Sequence, residues 1–473
     1  MKAEEIRAYY TVGAVVPGEW PVMTIEEIAD VNPRVDKAAI PDDLPVSFVP
    51  MPAVGAGDGS IHVEETRPAG EVKKGFTAFL EGDVLFAKIT PCMENGKMAV
   101  VPKLVNGYGF GSTEFHVLRT KQGMDAKYLY YWVSSQTFRG EAERYMTGAV
   151  GQKRVSTTYL KQATIPVAPL DQQKRIVAEI EKQFSRLDEA VANLKRVKAN
   201  LKRYKAAVLK AAVEGRLVET EAERARREGR SYETGEQLLQ RILETRRSQW
   251  QGKGKYKEPA APDTTGLPEL PEGWVWASTE QVCGSVRDGT HDTPAYVDSG
   301  VPLITSKNLT EHGIDFENVK LISEQDHTDI SRRSGVEYGD VLFAMIGTVG
   351  NPCEIRTDAR FSIKNVGLFK RNPECLSSTY LRHWLESPLL NKWLEPRLKG
   401  TTQKFAPLGL LREIPVPYTT LAEQHRIVAE VDRRLSLIRE TEAQVDANSR
   451  RVTRLRQSIL AQAFCREAVH AGI

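Results

Sequence analysis

An internal duplication constrains the fold of this chain more than any other feature. Gly82-Asp83-Val84-Leu85-Phe86-Ala87 returns letter for letter as Gly339-Asp340-Val341-Leu342-Phe343-Ala344. Ile165-Pro166-Val167 returns as Ile414-Pro415-Val416, and Gln173-x-Arg175-Ile176-Val177-Ala178-Glu179 as Gln424-x-Arg426-Ile427-Val428-Ala429-Glu430. Near the front, Pro17-Gly18-Glu19-Trp20 is echoed by Pro271-Glu272-Gly273-Trp274. The order is the same in both halves, at a spacing of about 250 residues, which is the mark of a repeat architecture. Chance similarity between two α/β domains is a poor account of four ordered matches. The expected plan is a globular unit and a long helix, a linker, then a second globular unit and long helix.

The boundaries fall at 1–170, 171–215 for the first long helix, 216–270 for a partly helical linker, 271–421, and 422–473 for the second long helix. The Val-Leu-Phe-Ala runs after Gly-Asp read as short buried strands, and frequent Gly and Pro punctuate both units. Short helices are expected at 126–134 and 378–385. The Pro-, Gly- and Lys-rich stretch 252–271 reads as linker.

The two long segments lack proline and glycine from Asp171 to Val213 and from Leu421 to Ala471. Thr420 and Glu423 have capping-box spacing, and Gly215 suits a helix stop. Aliphatic residues recur every seven positions: Ile180, Leu187, Leu194, Leu201 and Val208, then Val431, Ile438, Val445, Val452 and Ile459. Phe184, Val191 and Tyr204 widen the first column, and Leu435 and Leu455 the second. Sustained heptads make a coiled-coil seam. A helix of ~40 residues spans roughly 60 Å, more than a small domain needs, so burying the columns against each other in an antiparallel pair is preferred to each packing on its own unit.

Bulk properties leave room for this plan. A chain of 473 residues with 41% hydrophobic content is an ordinary soluble multidomain protein. No apolar run is long enough to span a membrane, and the first residues lack the layout of a signal peptide. The five scattered cysteines make no CxxC pair, which fits a reducing cytoplasm without a disulfide framework or zinc site. A net charge of +3 neither demands nor excludes nucleic acid, so charge placement matters.

These features together resemble the specificity subunits of type I restriction–modification enzymes over essentially the whole chain. The resemblance rests on the two Gly-Asp-Val-Leu-Phe-Ala runs with Lys88-Ile89-Thr90-Pro91-Cys92 and Met345-Ile346-Gly347-Thr348-Val349-Gly350 behind them. It rests also on Asp288-Gly289-Thr290-His291-x-Thr293-Pro294, on Gly400-Thr401-Thr402-Gln403-Lys404, on Tyr256-Lys257-Glu258-Pro259 and on the paired Arg-Ile-Val-Ala-Glu helix starts. It implies an α+β fold: two duplicated mixed α/β target-recognition domains separated by an antiparallel helical coiled coil, related by a pseudo-twofold. Each domain would read half of a bipartite, asymmetric DNA target, with the helices setting the spacer. The implied partners are double-stranded DNA, two modification (methyltransferase) subunits and restriction/translocase subunits. S-adenosylmethionine, ATP and Mg would sit on those partners and none on this chain.

DNA binding needs cations for phosphates and hydrogen-bonding side chains for base edges. The loop Gly148-Ala149-Val150-Gly151-Gln152-Lys153-Arg154 aligns with Lys399-Gly400-Thr401-Thr402-Gln403-Lys404. Glycine lets a backbone approach a groove closely, Gln pairs with adenine, and Lys or Arg with guanine or phosphate. Gln152, Lys153, Arg154, Thr401, Thr402, Gln403 and Lys404 are therefore candidate DNA contacts, with Lys88, Lys97, Lys307 and Asn308 as further ones; a solvated loop is the bland alternative. His291 is expected to cap a turn, and Lys73-Lys74 to be solvated. Lys195, Arg196, Lys198, Lys202, Arg203, Lys205 and Lys210 form a run of seven bases with no acid, suited to spacer DNA or an acidic partner.

Catalytic signatures are weak. Asp42 with Glu71 and Lys73 loosely fits a metal-dependent nuclease pattern that is common by chance. Asn351-Pro352-Cys353-Glu354 lacks the second proline and aromatic of an amino-methyltransferase motif. There is no P-loop. The leading expectation is a non-catalytic reader. A single-chain methyltransferase or endonuclease with fused recognition domains is the alternative, and a coiled-coil structural protein the third.

Overall fold

The computed structural model describes residues 20–464, apart from 64, 150, 253, 311 and 312. Pro17-Gly18-Glu19, Val150, Cys465 and the outer ends of the first and last expected segments lie outside the described residues. The chain divides into two compact units: one runs to Lys195 and resumes at Asp446, the other is Arg196–Val445.

The first unit carries β1 (Val22–Thr24), β2 (Ala29–Val31), β3 (Pro45–Val49), β4 (Glu65–Pro68), β5 (Thr77–Leu80), β6 (Val84–Ala87), β7 (Met98–Val100), β8 (Tyr108–Gly111), β9 (Phe115–Thr120) and β10 (Thr164–Pro166). One four-stranded sheet has the order β2-β9-β6-β7, a second β4-β3-β8-β5, and β1 pairs with β10. Within the second sheet β3 and β8 run parallel. The Val-Leu-Phe-Ala run is wholly apolar because both faces of β6 are covered. Val84 and Phe86 pack with Tyr128, Trp132 and Phe138, whereas Leu85 and Ala87 pack with Val49, Phe79 and Val117.

The second unit repeats this design with β11 (Val275–Ser278), β12 (Val286–Asp288), β13 (Tyr296–Val297), β14 (Val301–Thr305), β15 (Leu309–Thr310), β16 (Gly313–Ile314), β17 (Lys320–Ile322), β18 (Val341–Ala344), β19 (Gly350–Glu354), β20 (Ser362–Lys364), β21 (Val366–Phe369) and β22 (Pro415–Tyr418). The order β12-β21-β18-β19 copies β2-β9-β6-β7 strand for strand, and β14 pairs in parallel with β20 as β3 does with β8. The copies diverge at the edge of the second sheet, which reads β13-β17-β14-β20, and in the added hairpin β15-β16.

The identical Gly-Asp pairs have identical work. Gly82 and Gly339 sit at φ +83° and +86°, a left-handed turn that glycine enters without cost. Each following aspartate closes the turn: Asp83 accepts from the Leu80 amide at 2.8 Å, and Asp340 from the Glu337 amide at 2.8 Å. Both are buried and paired, Asp83 with Arg119 and Asp340 with Lys370, each at 2.7 Å.

The long helices are Leu170–Val213 and Leu421–Ala463. Gly215, at φ +64°, and the bond from the Arg216 amide to the Ala211 carbonyl at 2.9 Å close the first as a Schellman end. Each helix is pinned to its globular unit by the glutamine of the repeated motif. The Gln173 amide accepts from Asp125 N and donates to the carbonyls of Gly123 and Ala168. Gln424 accepts from Ser377 N and donates to the carbonyls of Cys375 and Thr419. The repeated tryptophans add a second pin: Trp20 donates to Gln172 and Trp274 to Glu423, both at 3.1 Å. Glu423 therefore does not complete the capping box its spacing suggests. Thr420 accepts from the Glu423 amide, but the Glu423 carboxylate turns to Trp274 and Thr419.

Helix pairing is antiparallel within each unit. In the first, Ile176, Val177 and Ile180 share a core with Leu460 and Phe464, whose ring lies 5.0 Å from Tyr128 and 5.1 Å from Trp132. In the second, Val208, Leu209, Ala212 and Val213 share a core with Ile427, Val431, Leu435 and Ile438. Along the columns, Ile180, Val208, Val431, Ile438, Val445 and Val452 are buried, and Leu187, Leu194, Leu201 and Ile459 half-buried. Phe184, Val191 and Leu435 also turn inward, but Tyr204 and Leu455 are 47% and 40% exposed, contrary to the reading that they widen the seam. Between the halves, helices Glu221–Glu228 and Gly235–Ser248 each begin with a capping box. No helix among the described residues is long and apolar enough to cross a membrane.

Candidate nucleic-acid interface

Both units build the same device from the segment after their Val-Leu-Phe-Ala strand. In the first, a tight hairpin is closed by reciprocal backbone bonds between Thr147 and Arg154. It is laced to the post-strand segment by Thr90 N to the Lys153 carbonyl at 3.0 Å and by Val155 N to the Lys88 carbonyl at 2.8 Å. In the second, Lys399 and Phe405 close the hairpin. Gly347 N bonds the Lys404 carbonyl at 3.2 Å, and Ala406 N bonds the Met345 carbonyl at 2.9 Å. Glycine is required at both hairpins. A Cβ on Gly148 would lie 2.8 Å from the Gln152 carbonyl oxygen, and one on Gly400 2.2 Å from that of Gln403.

This geometry leaves Gln152 and Lys153 exposed in one unit and Thr401, Thr402, Gln403 and Lys404 exposed in the other. Lys404 faces Glu395 at 3.6 Å, an exposed and weak pair. Lys307 is exposed on a turn whose neighbour Ser306 accepts from Met345 N, so it belongs to the second hairpin's surroundings. His291 joins them: its ring bridges Asp288 and Asn365, both at 2.9 Å.

Other candidates are engaged within the protein. Arg154 forks onto Glu114 with two bonds of 2.9 Å, which hold the Glu114 carboxyl below the usual carboxylate range. Lys88 lies beside the same carboxylate, and its charge reinforces that lowering. Lys97 donates to the carbonyls of Met51 and Val54, so its ammonium ties a loop down. Asn308 is buried; it accepts from Thr305 and donates to the carbonyls of Asp315 and Asn318. Lys73 is not solvated, because it pairs with Asp42 at 2.6 Å. Glu71 stays exposed, and among the described residues no His, Cys, Asp or Glu cluster could hold a metal. Asn351 spends its amide on the Leu309 carbonyl.

His116 stiffens the first site. Its Nε2 meets the Val155 carbonyl at 2.9 Å and its Nδ1 the Asn32 amide nitrogen at 3.0 Å, while the Asn32 oxygen accepts from Val117 N. That pattern fits a neutral ring with the proton on Nε2, and burial pushes its pKa down in the same sense. Sequence reasoning passed over His116, Glu114 and Asn365. The structure holds two asparagines beside these sites in left-handed backbone, Asn32 at φ +55° and Asn365 at φ +52°, a conformation asparagine tolerates better than most residues.

Residues 17–203 match the type I restriction modification DNA specificity domain. The specificity subunit of the type I restriction enzyme EcoAI of Escherichia coli is 27% identical, the match covering 88% of this chain and 77% of that protein. The EcoEI specificity subunit of the same organism is 29% identical, with 88% and 78% covered. Among solved structures, the HsdS subunit from Thermoanaerobacter tengcongensis shares the fold, with a TM-score of 0.55 at 19% identity over 96% of this chain and 99% of that one. A chain solved in work on complex assembly and conformational transition of the type I R-M system gives 0.64 at 20% identity, over 95% and 98%. The chain thus carries a segment that matches the type I restriction modification DNA specificity domain, and over most of its length it is similar to specificity subunits of type I restriction enzymes.

Proposed function

We propose that this subunit reads a bipartite, asymmetric DNA target, one half with each hairpin-bearing head, and that the paired helices fix the unread spacer between them. The carrying observation is the duplication of the laced hairpin, which offers Gln152 and Lys153 in one head and Thr401 to Lys404 in the other. Different side chains on one scaffold suit an asymmetric target. One turn of DNA is ~34 Å, so a stiff helical pair is a natural ruler.

The reading includes two modification subunits as partners, with restriction/translocase subunits joining them. S-adenosylmethionine, ATP and Mg belong on those partners, and this chain contributes recognition without catalysis. The basic run from Lys195 to Lys210 suits spacer phosphates. The test is a binding titration with target and scrambled duplexes. The chain assembled with modification subunits should prefer the target and weaken steeply with salt. Turnover of DNA by the chain alone, with Mg or with S-adenosylmethionine, would refute the non-catalytic assignment.

A further inference from the structure

A cavity of about 550 Å³ opens in the second unit, outside the hairpin. Trp250 and Tyr256 form part of its wall, edge to face with ring centroids 5.7 Å apart. The segment carrying them is fastened down, because Arg247 pairs with Glu258 at 2.8 Å and Ser278 donates to the Ala260 carbonyl at 2.8 Å.

Five cations line this space against two carboxylates, Glu280 and Asp288. Arg333 is matched to Asp288 at 2.5 Å and Arg412 faces Glu280 at 3.6 Å. The other three have no carboxylate partner among the described residues. Arg246 donates to the carbonyls of Glu280 and Cys283, Arg287 to Ser285 and the Arg333 carbonyl, and Lys257 is exposed. Uncompensated positive charge therefore converges beside an indole that is 48% exposed. Cations meet phosphate oxygens in strong charge-assisted bonds, and an aromatic face stacks a base whatever its identity. The volume suits a small ligand.

We propose that this cavity is a nucleotide site, taking a phosphate on Arg246, Lys257 and Arg287 and a base against Trp250. The same chemistry arises from a free mononucleotide or from one nucleotide of a DNA strand. The inference does not depend on the hairpins reading bases.

The test titrates the full chain with AMP, with inorganic phosphate and with a short duplex, followed by tryptophan emission and calorimetry. AMP should quench emission, and Trp250→Leu should remove most of that quench. Arg287→Ala and Lys257→Ala should each weaken binding about tenfold, more at low salt than at high. Lys257 is exposed, so its variant keeps the test valid if Arg287→Ala melts early. AMP binding marks the source as free nucleotide. Duplex binding that all three variants weaken, without AMP binding, marks it as a strand; both outcomes support the site. Failure of AMP and duplex alike to respond to these variants would overturn it, and so would inorganic phosphate binding as tightly as AMP. Alanines at Gln403 and Lys404 should leave AMP binding unchanged, which separates failure of this site from failure of the hairpin reading.

Discussion

Glu423 places a buried carboxylate where the first half of the chain has an uncharged partner for its repeated tryptophan. It accepts the Trp274 indole N–H as Gln172 accepts that of Trp20. Burial pushes the Glu423 pKa up, which means that folding favours its protonated form. The linkage sign follows: stability is greatest below the ordinary glutamate pKa and is lost as pH rises through the raised one. Glu423→Gln keeps the indole bond and removes the charge. It should be neutral to stabilising by about 1 kcal/mol near neutral pH, with a flatter pH profile, as melting curves across pH would reveal. A second residue-scale prediction concerns Gly400. Alanine there meets both a positive φ and the Gln403 carbonyl, so Gly400→Ala should distort the hairpin and relax reading of one half-site while the protein still folds. Binding to single-base variants of the target would detect this. The candidates the structure turns inward show why individual roles were hard to read. Lys97 and Asn308 donate to carbonyls of Met51, Val54, Asp315 and Asn318, and no local pattern announces such acceptors.

At the scale of elements, most of the architecture was legible. The repeated motifs turn out to be joints: Gly-Asp shapes the turn before the central strand, and the glutamine of Gln-x-Arg-Ile-Val-Ala-Glu pins each long helix. Gln173→Ala would leave the Asp125 amide and two carbonyls without their partner and should cost about 2–3 kcal/mol, as should Gln424→Ala in the other unit. Chemical denaturation of each variant measures it. The heptad columns were visible, but their flank was misread. Phe184, Val191 and Leu435 each follow a column residue by four positions and face inward; Tyr204 and Leu455 follow by three and face solvent. Spacing of three and four alternates along a seam, and side-chain type alone did not say which side of the column was covered. One inward position is polar: Arg456 stacks over Phe184 at 4.7 Å and pairs with the exposed Asp188.

For the whole molecule, the proposed ruler makes a length prediction. Deleting seven residues from each long helix together keeps the columns in phase. It should shorten the spacer in the recognised sequence while preserving both half-sites; an unchanged spacer would refute the ruler. The most direct measurement is a map of methylated adenines in cells carrying the complete system. It would compare the native chain with Gln152→Ala/Lys153→Ala and with Gln403→Ala/Lys404→Ala. Two independent heads predict that each double variant loosens the consensus on one side of the spacer only, and on opposite sides. Loosening of both sides by either variant would contradict the account.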